Sequence, residues 1–409
     1  MAGFLKMLVL RLAFRNLLRH RGRLFLNLLL LVGAFVTIVC FKGFKNHVLK
    51  VIQNIMIDSQ YGHIEIAKKS FWENLPAVQV TDKMIQNSQE LISQISKNPD
   101  VQFASPRVEF YGLINTEDKS VTAHFIGLQP NVETQLQTSV IITEGKEFHQ
   151  SHESLLSVGL KSKLNLHSGT SVTIVSPTLL GGINAMDVKV QGIFSTGIAE
   201  VDTGTAYISL QDAQKILDAD YADRLIITLK DEANISKVIK GLKKQFAGSD
   251  LVVKSWRELA DLYNQVEDFY VFQNFFIEMI ILLLLLLSVA NTVSMTVFER
   301  LNEIGTLRAL GDHETDIQKL FLIESILLAS VAILIALPVS LAIIQLVASL
   351  DIPVTLPMAS QPIPFKFLPT TGAFIEAAGI CFFSVIFASL WPARKGSKFS
   401  IVSALSAKI

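Results

Sequence analysis

Four apolar runs, each long enough to cross a lipid bilayer, constrain this chain more than any other feature of its sequence. A membrane-spanning helix needs about 20 mostly apolar residues. The predicted spans cover residues 24–43, 272–298, 320–350 and 370–391. The third contains Pro338, which predicts a kink, and the fourth is rich in small residues that let helices pack closely. The sequence therefore predicts an α-helical membrane protein with four transmembrane helices.

The overall composition supports this fold class and excludes others. Half of the 409 residues are hydrophobic and 18% are charged, whereas about a quarter are charged in an average soluble domain. The formal net charge is zero, which argues against nucleic-acid binding because such proteins usually carry a basic excess. The two cysteines, Cys40 and Cys381, both fall in apolar runs, so neither a disulfide framework nor a thiolate zinc cluster is predicted.

Lysine and arginine residues beside the outermost spans predict the orientation. Segment 1–23 contains six of them and no acid, and segment 392–409 contains four and no acid. By the positive-inside rule, both termini lie in the cytoplasm. Segment 1–23 is further predicted to be an amphipathic helix on the inner leaflet. The first span lacks a small-residue cleavage site and is predicted to be retained.

With that orientation, segment 44–271 lies outside the membrane and 351–369 is a short outside loop. Segment 44–271 begins and ends with a strand-helix-strand pattern, first "GHIEIA" with a helix at 82–97 and later "RLIITL" with a helix at 234–248. Such paired units predict a large α+β domain in which two helices cover one sheet. Short alternating runs between them predict a β-rich insertion at about 120–215.

Apolar residues recur at three- and four-residue steps on both sides of this outside domain. They predict that the first two spans continue outward as paired helical stalks at the membrane interface. Either transmission of motion or simple support of the domain fits this pattern. The stalk residues are Phe44, Val48, Ile52, Leu262, Val266 and Phe269.

The stretch "SPTLLGGINAMD", residues 176–187, connects two predicted strands of the insertion. Pro177, Leu179 and Leu180 place apolar groups in this connection. It is either an ordinary hairpin or a docking loop for a soluble partner.

The stretch "ERLNEIGTLRALGDHE", residues 299–314, places dense mixed charge between two apolar spans. A helix is predicted from residue 299 to 310, with Arg300 and Glu303 able to pair. Gly311 ends this helix, and a second helix then leads into the third span. We call residues 299–319 the elbow. Its charged and apolar edges are typical of a surface that docks into a groove on another protein, and the alternative is a solvated turn.

The sequence lacks the motifs of common membrane enzymes. No phosphate-binding loop, zinc-protease motif or serine-hydrolase motif occurs. The chain is therefore predicted not to be an enzyme and not to bind a cofactor or metal. Three acids within the spans, Glu278, Glu324 and Glu376, are either functional or interfacial, because charge inside a membrane is costly.

The stretch "ANTVSMTVFERLNEIGTLRALGDHETDIQKLFLIES" resembles the signature region of the ABC transporter permeases grouped with MacB, FtsX and LolC/LolE. Further stretches, among them "RNLLRHRGR", "VQGIFSTGIAEVDTGTAYISLQDAQKIL" and "WPARKGSKFSIVSAL", are similar to lipoprotein-releasing permeases. The resemblance covers nearly the whole chain.

This resemblance implies a multi-pass protein of the bacterial inner membrane with a large periplasmic domain. It would work as a dimer with itself or a paralogue, among membrane lipid, beside a separate ABC ATPase dimer that binds ATP and Mg²⁺. ATP-driven closure of the ATPases would pass through the stalks to the outside domain. The resemblance implies that ATPase coupling involves Glu299, Arg300, Glu303, Ile304, Gly305, Leu307, Arg308 and Gly311.

Three functions are compatible with this resemblance. The leading expectation is extraction of lipoproteins from the inner membrane, in which a periplasmic carrier or adaptor can take part. The alternatives are MacB-like export of a peptide, drug or amphiphile with an adaptor, and FtsX-like mechanical activation of a periplasmic hydrolase. The size of segment 44–271 favours the two transport functions.

Overall fold

The computed structural model describes residues 21–72, 80–133, 140–179, 181–354 and 362–399. Most of the predicted amphipathic helix at 1–23 and the tail from residue 400 lie outside the described residues. The described chain divides into two compact units. The membrane unit contains residues 21–49, 267–352 and 364–399, and the sheet unit contains residues 50–266 with a short piece of the loop after residue 352.

The helices of both units are numbered in chain order. They are α1 (Arg21–Met56), α2 (Lys69–Trp72), α3 (Ser88–Ile95), α4 (Val158–Leu164), α5 (Ala199–Asp202), α6 (Leu210–Leu217), α7 (Ile235–Gln245), α8 (Trp256–Leu259), α9 (Asp261–Glu299), α10 (Leu301–Ala309), α11 (Glu314–Leu350) and α12 (Thr371–Ser397). A π-helical turn covers Ile57–Tyr61, and 3-10 turns cover Val80–Lys83 and Glu232–Asn234.

The strands are numbered in the same way. They are β1 (Ile64–Lys68), β2 (Val101–Asn115), β3 (Ser120–Leu128), β4 (Ile141–Gly145), β5 (Glu153–Ser157), β6 (Ser171–Pro177), β7 (Ile183–Ser195), β8 (Thr205–Ser209), β9 (Arg224–Leu229), β10 (Leu251–Ser255), β11 (Pro353–Val354) and β12 (Ile363–Pro364). The last two pair with each other, and the first ten form one sheet.

Four helices of the membrane unit, α1, α9, α11 and α12, are long and apolar enough to cross a bilayer. Each contains one of the predicted spans, and Pro338 lies inside α11 as expected. Small residues allow close packing, since Ala332 of α11 and Ala377 of α12 are buried in one cluster with Phe35 of α1. Helices α1 and α9 extend well beyond their predicted spans, so the predicted helical continuations are present.

The two predicted strand-helix-strand units of the sheet unit interleave in one sheet. The strand order is β10-β1-β9-β2-β3-β8-β5-β7-β4, with β6 beside β2 and β7. Helices α3 and α7 bury Ile95 and Leu242 in the same core as Ile66 and Leu225 of the strands. The α+β fold with two helices over one sheet is confirmed. Strand β2 is long enough to belong to both halves of the sheet.

The predicted insertion is present, whereas one predicted helix is shorter than expected. In the described part of region 120–215, six strands outnumber the short helices α4, α5 and α6, as a β-rich insertion requires. Ser209 is the N-cap residue of α6, and such a serine is a sequence signal for a helix start. Its hydroxyl accepts a hydrogen bond from the Asp212 N–H. The predicted helix at 82–97 is wrong before Ser88, because Asn87 is left-handed and Ile85 forms a β-bridge.

A buried ion pair stabilises the sheet unit where α1 ends. Arg107 of β2 donates from Nε and Nη2 to Glu133 at 3.0 and 2.6 Å, and both side chains are 1% exposed. Its Nη1 donates to the Gln60 carbonyl at 2.6 Å, in the π-helical turn after α1. Arg107 therefore ties the end of the stalk helix to the sheet.

We predict that Glu133→Ala destabilises the sheet unit, because it leaves the Arg107 charge buried without its carboxylate. Breaking such a pair costs about 3–5 kcal/mol. The measurement is urea unfolding of the full chain, followed by fluorescence of Trp72 and Trp256, which lie in this unit. Glu117→Ala, at an exposed turn, is the control, and equal unfolding midpoints for the two variants would contradict the prediction.

Candidate functional site

The elbow consists of one short helix set between two sharp changes of backbone direction. Helix α9 ends at Glu299, Arg300 departs from helical geometry with φ −104° and ψ 14°, and α10 follows. The predicted unbroken helix from residue 299 is therefore wrong at Arg300. Gly311 ends the elbow helix as predicted, with φ +107°, a value that favours glycine. Helix α11 then begins at Glu314.

Arg300 anchors the elbow to the third span helix. Its guanidinium donates to Glu303 at 2.9 Å, as predicted, and to Glu324 of α11 at 2.9 Å. The guanidinium carbon also lies 5.4 Å from the centre of the Phe321 ring. The Arg300 side chain is only 12% exposed, so these charge-assisted contacts are largely shielded from water. The break at Arg300 thus places a half-buried cation between α9, α10 and α11.

Arg308 anchors the other end of the elbow helix to the end of α12. Its Nη1 donates to the carbonyls of Ser397 and Phe399, both at 3.0 Å, and its Nη2 donates to Glu314 at 3.2 Å. Gln318 donates to the Ser397 hydroxyl at 2.9 Å. Arg308 therefore stabilises contacts within the chain.

A close helix contact holds α9 beside α12 near the elbow. A Cβ atom added to Gly396 would lie 2.3 Å from a methyl carbon of Val297, so only glycine fits there. Val297 belongs to an apolar cluster with Ile304, Ile317 and Phe321. The elbow is consequently packed on its inner side by all three helices that surround it.

The predicted coupling residues divide by exposure. Ile304 and Gly305 are buried in the chain itself, so their role in docking stays a prediction. Leu310, at the end of the elbow helix, is 81% exposed and is the large apolar side chain that the elbow presents to solvent. Of the remaining predicted residues, two are exposed, namely Glu303 and Gly311. The other four are half-buried: Glu299, Arg300, Leu307 and Arg308.

Two ion-pair clamps join α1 to α9 at opposite ends of the spans. Arg23 makes a two-pronged contact with Glu299, at 2.7 and 2.5 Å. Lys42 lies 2.9 Å from Glu278 of α9 and also pairs with Glu376 of α12. Lys42 follows Arg23 by 19 positions on α1, which is about 28 Å of helix. Since a hydrocarbon core is about 30 Å thick, the clamps match the two predicted membrane boundaries.

The loop before α12 packs on α1 close to Lys42. The Leu368 N–H donates to the Gly43 carbonyl at 2.8 Å, and His47 Nε2 lies 2.8 Å from the Pro364 carbonyl oxygen. Phe44 contacts the Phe365 ring at a centroid distance of 4.9 Å. This end of α1 is therefore held by side-chain, backbone and aromatic contacts.

The predicted stalk residues do not form a continuous apolar stripe. In the membrane unit, Val48 is buried, whereas Phe269 is 62% exposed. In the sheet unit, Ile52 and Leu262 pack against one apolar cluster, and Val266 is half-buried. The stalk contacts beyond the spans are thus local.

The connection at 176–187 is a tight hairpin between β6 and β7. The Thr178 N–H donates to the Gly182 carbonyl at 2.8 Å. Leu179 packs against the core of the sheet unit, and Leu180 lies outside the described residues. Pro177 is exposed, and Ile183 is 81% exposed. Leu179 is therefore half-buried in the chain itself, and a role of this hairpin in docking stays a prediction.

Sequence reasoning identified the acids of the spans and missed their partners. Glu278, Glu324 and Glu376 each pair with a cation outside their own helix. A lone lysine at the end of an apolar run, such as Lys42, is the signal that could have revealed one of these pairs.

Residues 275–401, which include the elbow, α11 and most of the predicted tail, match the family model described as FtsX-like permease C-terminal. Over these residues the chain resembles the FtsX-like ABC transporter permeases. This match confirms the resemblance found in the elbow region. It also agrees with the prediction of a non-catalytic membrane subunit.

Two relatives and one solved structure illustrate the extent of similarity. The chain is 25% identical over 262 residues to the lipoprotein-releasing system transmembrane protein LolC of Xylella fastidiosa, covering 60% of this chain and 61% of that protein. It is 24% identical over 222 residues to an uncharacterised ABC transporter permease of Methanocaldococcus jannaschii, covering 53% and 54%. The matches therefore span little more than half of each relative's length. The periplasmic region of MacB from Actinobacillus actinomycetemcomitans aligns with 53% of this chain and 98% of its own, at 12% identity and a TM-score of 0.37.

We predict that Lys42→Met lowers the stability of the membrane unit, because it leaves the carboxylates of Glu278 and Glu376 without their shared cation. The expected cost is about 1–3 kcal/mol. The measurement is thermal unfolding in lipid nanodiscs. Lys319→Met is the matched control, since Lys319 pairs within its own helix and is 68% exposed. Lys42→Arg should retain the wild-type midpoint, and equal loss in both methionine variants would refute the clamp.

Proposed function

We propose that the permease is a membrane subunit of an ABC transporter and that its elbow receives a separate ATPase that binds ATP and Mg²⁺. The observation that carries this proposal is the two-sided construction of the elbow. Its inner side is fixed by Arg300 and Arg308, whereas Leu310 and Glu303 face outward. A free solvated turn needs no such anchoring, but a surface that bears load does.

A compact apolar anchor with neighbouring charge is also what a short docking helix uses. Leu310 is the apolar group that a groove on the ATPase would enclose. Glu303 lies on the same short helix and offers a carboxylate at the rim. The inner residues then determine how firmly a displacement of this helix is passed on to the spans.

The path of that displacement follows the ion pairs. Arg300 connects the elbow to α11 through Glu324, and Glu299 connects it to α1 through Arg23. Lys42 joins α1 to α9 again at the other end of the spans. Helices clamped at both ends move together more readily than they slide past each other. We propose that α1 and α9 carry the motion outward as one body.

The docking proposal predicts that Leu310→Asp or Glu303→Lys weakens association with the ATPase. Loss of a central apolar anchor is expected to reduce affinity about tenfold or more, equivalent to about 1.4 kcal/mol. The measurements are co-purification of the ATPase and its stimulated ATP hydrolysis. Glu117→Lys, a similar charge reversal at an exposed turn of the sheet unit, is the control.

Variants of the exposed and buried elbow residues separate docking from transmission. Glu324→Gln should leave co-purification intact and reduce only the stimulation, because Glu324 contacts Arg300 from inside the chain. If Leu310→Asp and Glu303→Lys both retained wild-type co-purification and hydrolysis, the elbow would not be the docking surface.

We further propose that the cargo is a lipoprotein taken from the inner membrane of a bacterium, with both termini of the permease in the cytoplasm. The similarity to LolC of Xylella fastidiosa supports this choice, as do the stretches that resemble lipoprotein-releasing permeases. The active assembly would contain two permease copies, or one copy and a paralogue. The hairpin with Pro177 and Ile183 at its surface is our candidate contact for a periplasmic carrier or adaptor.

Depletion of the permease tests the cargo directly. We expect outer-membrane lipoproteins to accumulate in the inner membrane, as measured by fractionation and immunoblotting. Re-expression of the wild-type chain, but not of the Leu310→Asp variant, should restore their distribution. Normal fractionation on depletion would exclude lipoprotein release and favour export of another molecule or activation of a hydrolase.

A further inference from the structure

The sheet unit contains a cavity of about 790 Å³ beside the ends of both stalk helices. Its floor consists of residues from β2, β3, β8 and β9, and its walls include Met56 at the end of α1 and Asp261 at the start of α9. Ligand sites for small organic molecules typically measure about 300–1,000 Å³. The cavity is therefore large enough for a molecule of drug size.

The only guanidinium among the lining residues that the structure describes is already neutralised. Arg224 lies 3.0 Å from Glu65 and also pairs with Glu109. Two carboxylates around one cation leave no net attraction for an anion at this point. The Nε–H of Arg224 has no hydrogen-bond partner among the described residues, although the side chain is only 9% exposed. This donor remains available for an uncharged acceptor oxygen of a ligand.

An aromatic platform lies next to this network. The ring of Tyr111 stacks on His124 of the neighbouring strand, with centroids 4.8 Å apart and planes 28° apart. Tyr111 is 70% exposed despite its size. Burial lowers the pKa of His124, which favours the neutral form of its imidazole. A neutral, electron-rich pair of rings with one open face is suited to bind a cation.

The remaining charged lining residues are acidic. Glu200 and Asp261 lie in the first turns of α5 and α9 and face the cavity with Glu109. Within the described lining, three carboxylates thus oppose one guanidinium. A cleft lined by an excess of one charge concentrates ions of the other sign. Apolar lining groups, including Met56 and Leu262, accompany these charges.

We propose that this cavity binds an amphiphilic organic cation, with its positive centre over Tyr111 near Glu200 and Asp261 and its apolar part against the stalk ends. An occupied cavity would contact residues at the ends of α1 and α9 together. If the permease drives its sheet unit through these helices, the bound cation is an effector of that motion. Only this last step rests on the proposed function, since binding itself needs no ATPase.

The binding test uses the full chain in lipid nanodiscs and two probes of matched shape. Tetraphenylphosphonium is a lipophilic cation, and tetraphenylborate is an anion of nearly the same size. Equilibrium dialysis, with empty nanodiscs subtracted, should show saturable binding of about one phosphonium per chain and no saturable binding of borate. Saturable binding of both ions, or of neither, would overturn the proposal.

Substitutions at Tyr111 test the position of the cation without disturbing the core. Tyr111→Phe keeps the ring and should retain affinity, whereas Tyr111→Leu should weaken phosphonium binding about twofold to fivefold, the range expected for one exposed cation-π contact. The double variant Glu200→Gln with Asp261→Asn should weaken it further. Glu117→Gln, outside the cavity, should have no effect. Unchanged binding in Tyr111→Leu and in the double variant would place the phosphonium elsewhere.

The same samples separate this proposal from the coupling proposal. Leu310→Asp should bind tetraphenylphosphonium with wild-type affinity, because Leu310 is remote in sequence and is not among the residues that line the cavity. Loss of ATPase association with intact phosphonium binding would support both proposals. Wild-type ATPase association with absent phosphonium binding would remove the cavity proposal alone.

Discussion

The need to neutralise charge at low dielectric is the constraint on which the membrane unit depends. A cation near the hydrocarbon region must find a carboxylate, because lipid provides no compensating hydrogen bonds. Lys42 pairs with Glu278 and Glu376 of two other helices, and Arg300 reaches Glu324 across the elbow. Since each pair joins different helices, neutralising the charge also determines which helices are neighbours. Apolar packing alone, largely between similar Leu and Ala side chains, would specify these neighbours less well.

The same constraint organises the sheet unit, in a different form. Arg107 and Arg224 are directly opposite each other on β2 and β9, an arrangement in which like charges repel. Each has its own carboxylate, Glu133 for Arg107 and Glu65 for Arg224. The two arginines consequently have different structural roles. Arg107 has its hydrogen bonds directed into the core and to the stalk turn, whereas Arg224 lines a cavity and retains an unused donor.

The sequence predicted the features that depend on local pattern. The four spans, the paired strand-helix-strand units and the glycine stop at Gly311 follow from hydrophobic period and backbone preference, and all are present. The pattern could not show the break at Arg300, because that residue leaves the helix to reach Glu324, which lies 24 positions further along the chain. The pairing of Lys42 and the cavity at Tyr111 depend on non-local contacts in the same way. The exposure of Leu310 also could not be predicted from helical periodicity, since its stripe of the helix contains both buried and exposed positions.

One helix connects the two candidate sites. Helix α9 begins at Asp261, which lines the cavity, and ends at Glu299, which belongs to the elbow. If the conformation of this helix differs between two functional states, both sites influence the same equilibrium. Thermodynamic linkage then requires reciprocity. If a bound cation changes the affinity of the chain for the ATPase through α9, docking of the ATPase must change the affinity of the chain for the cation by the same factor.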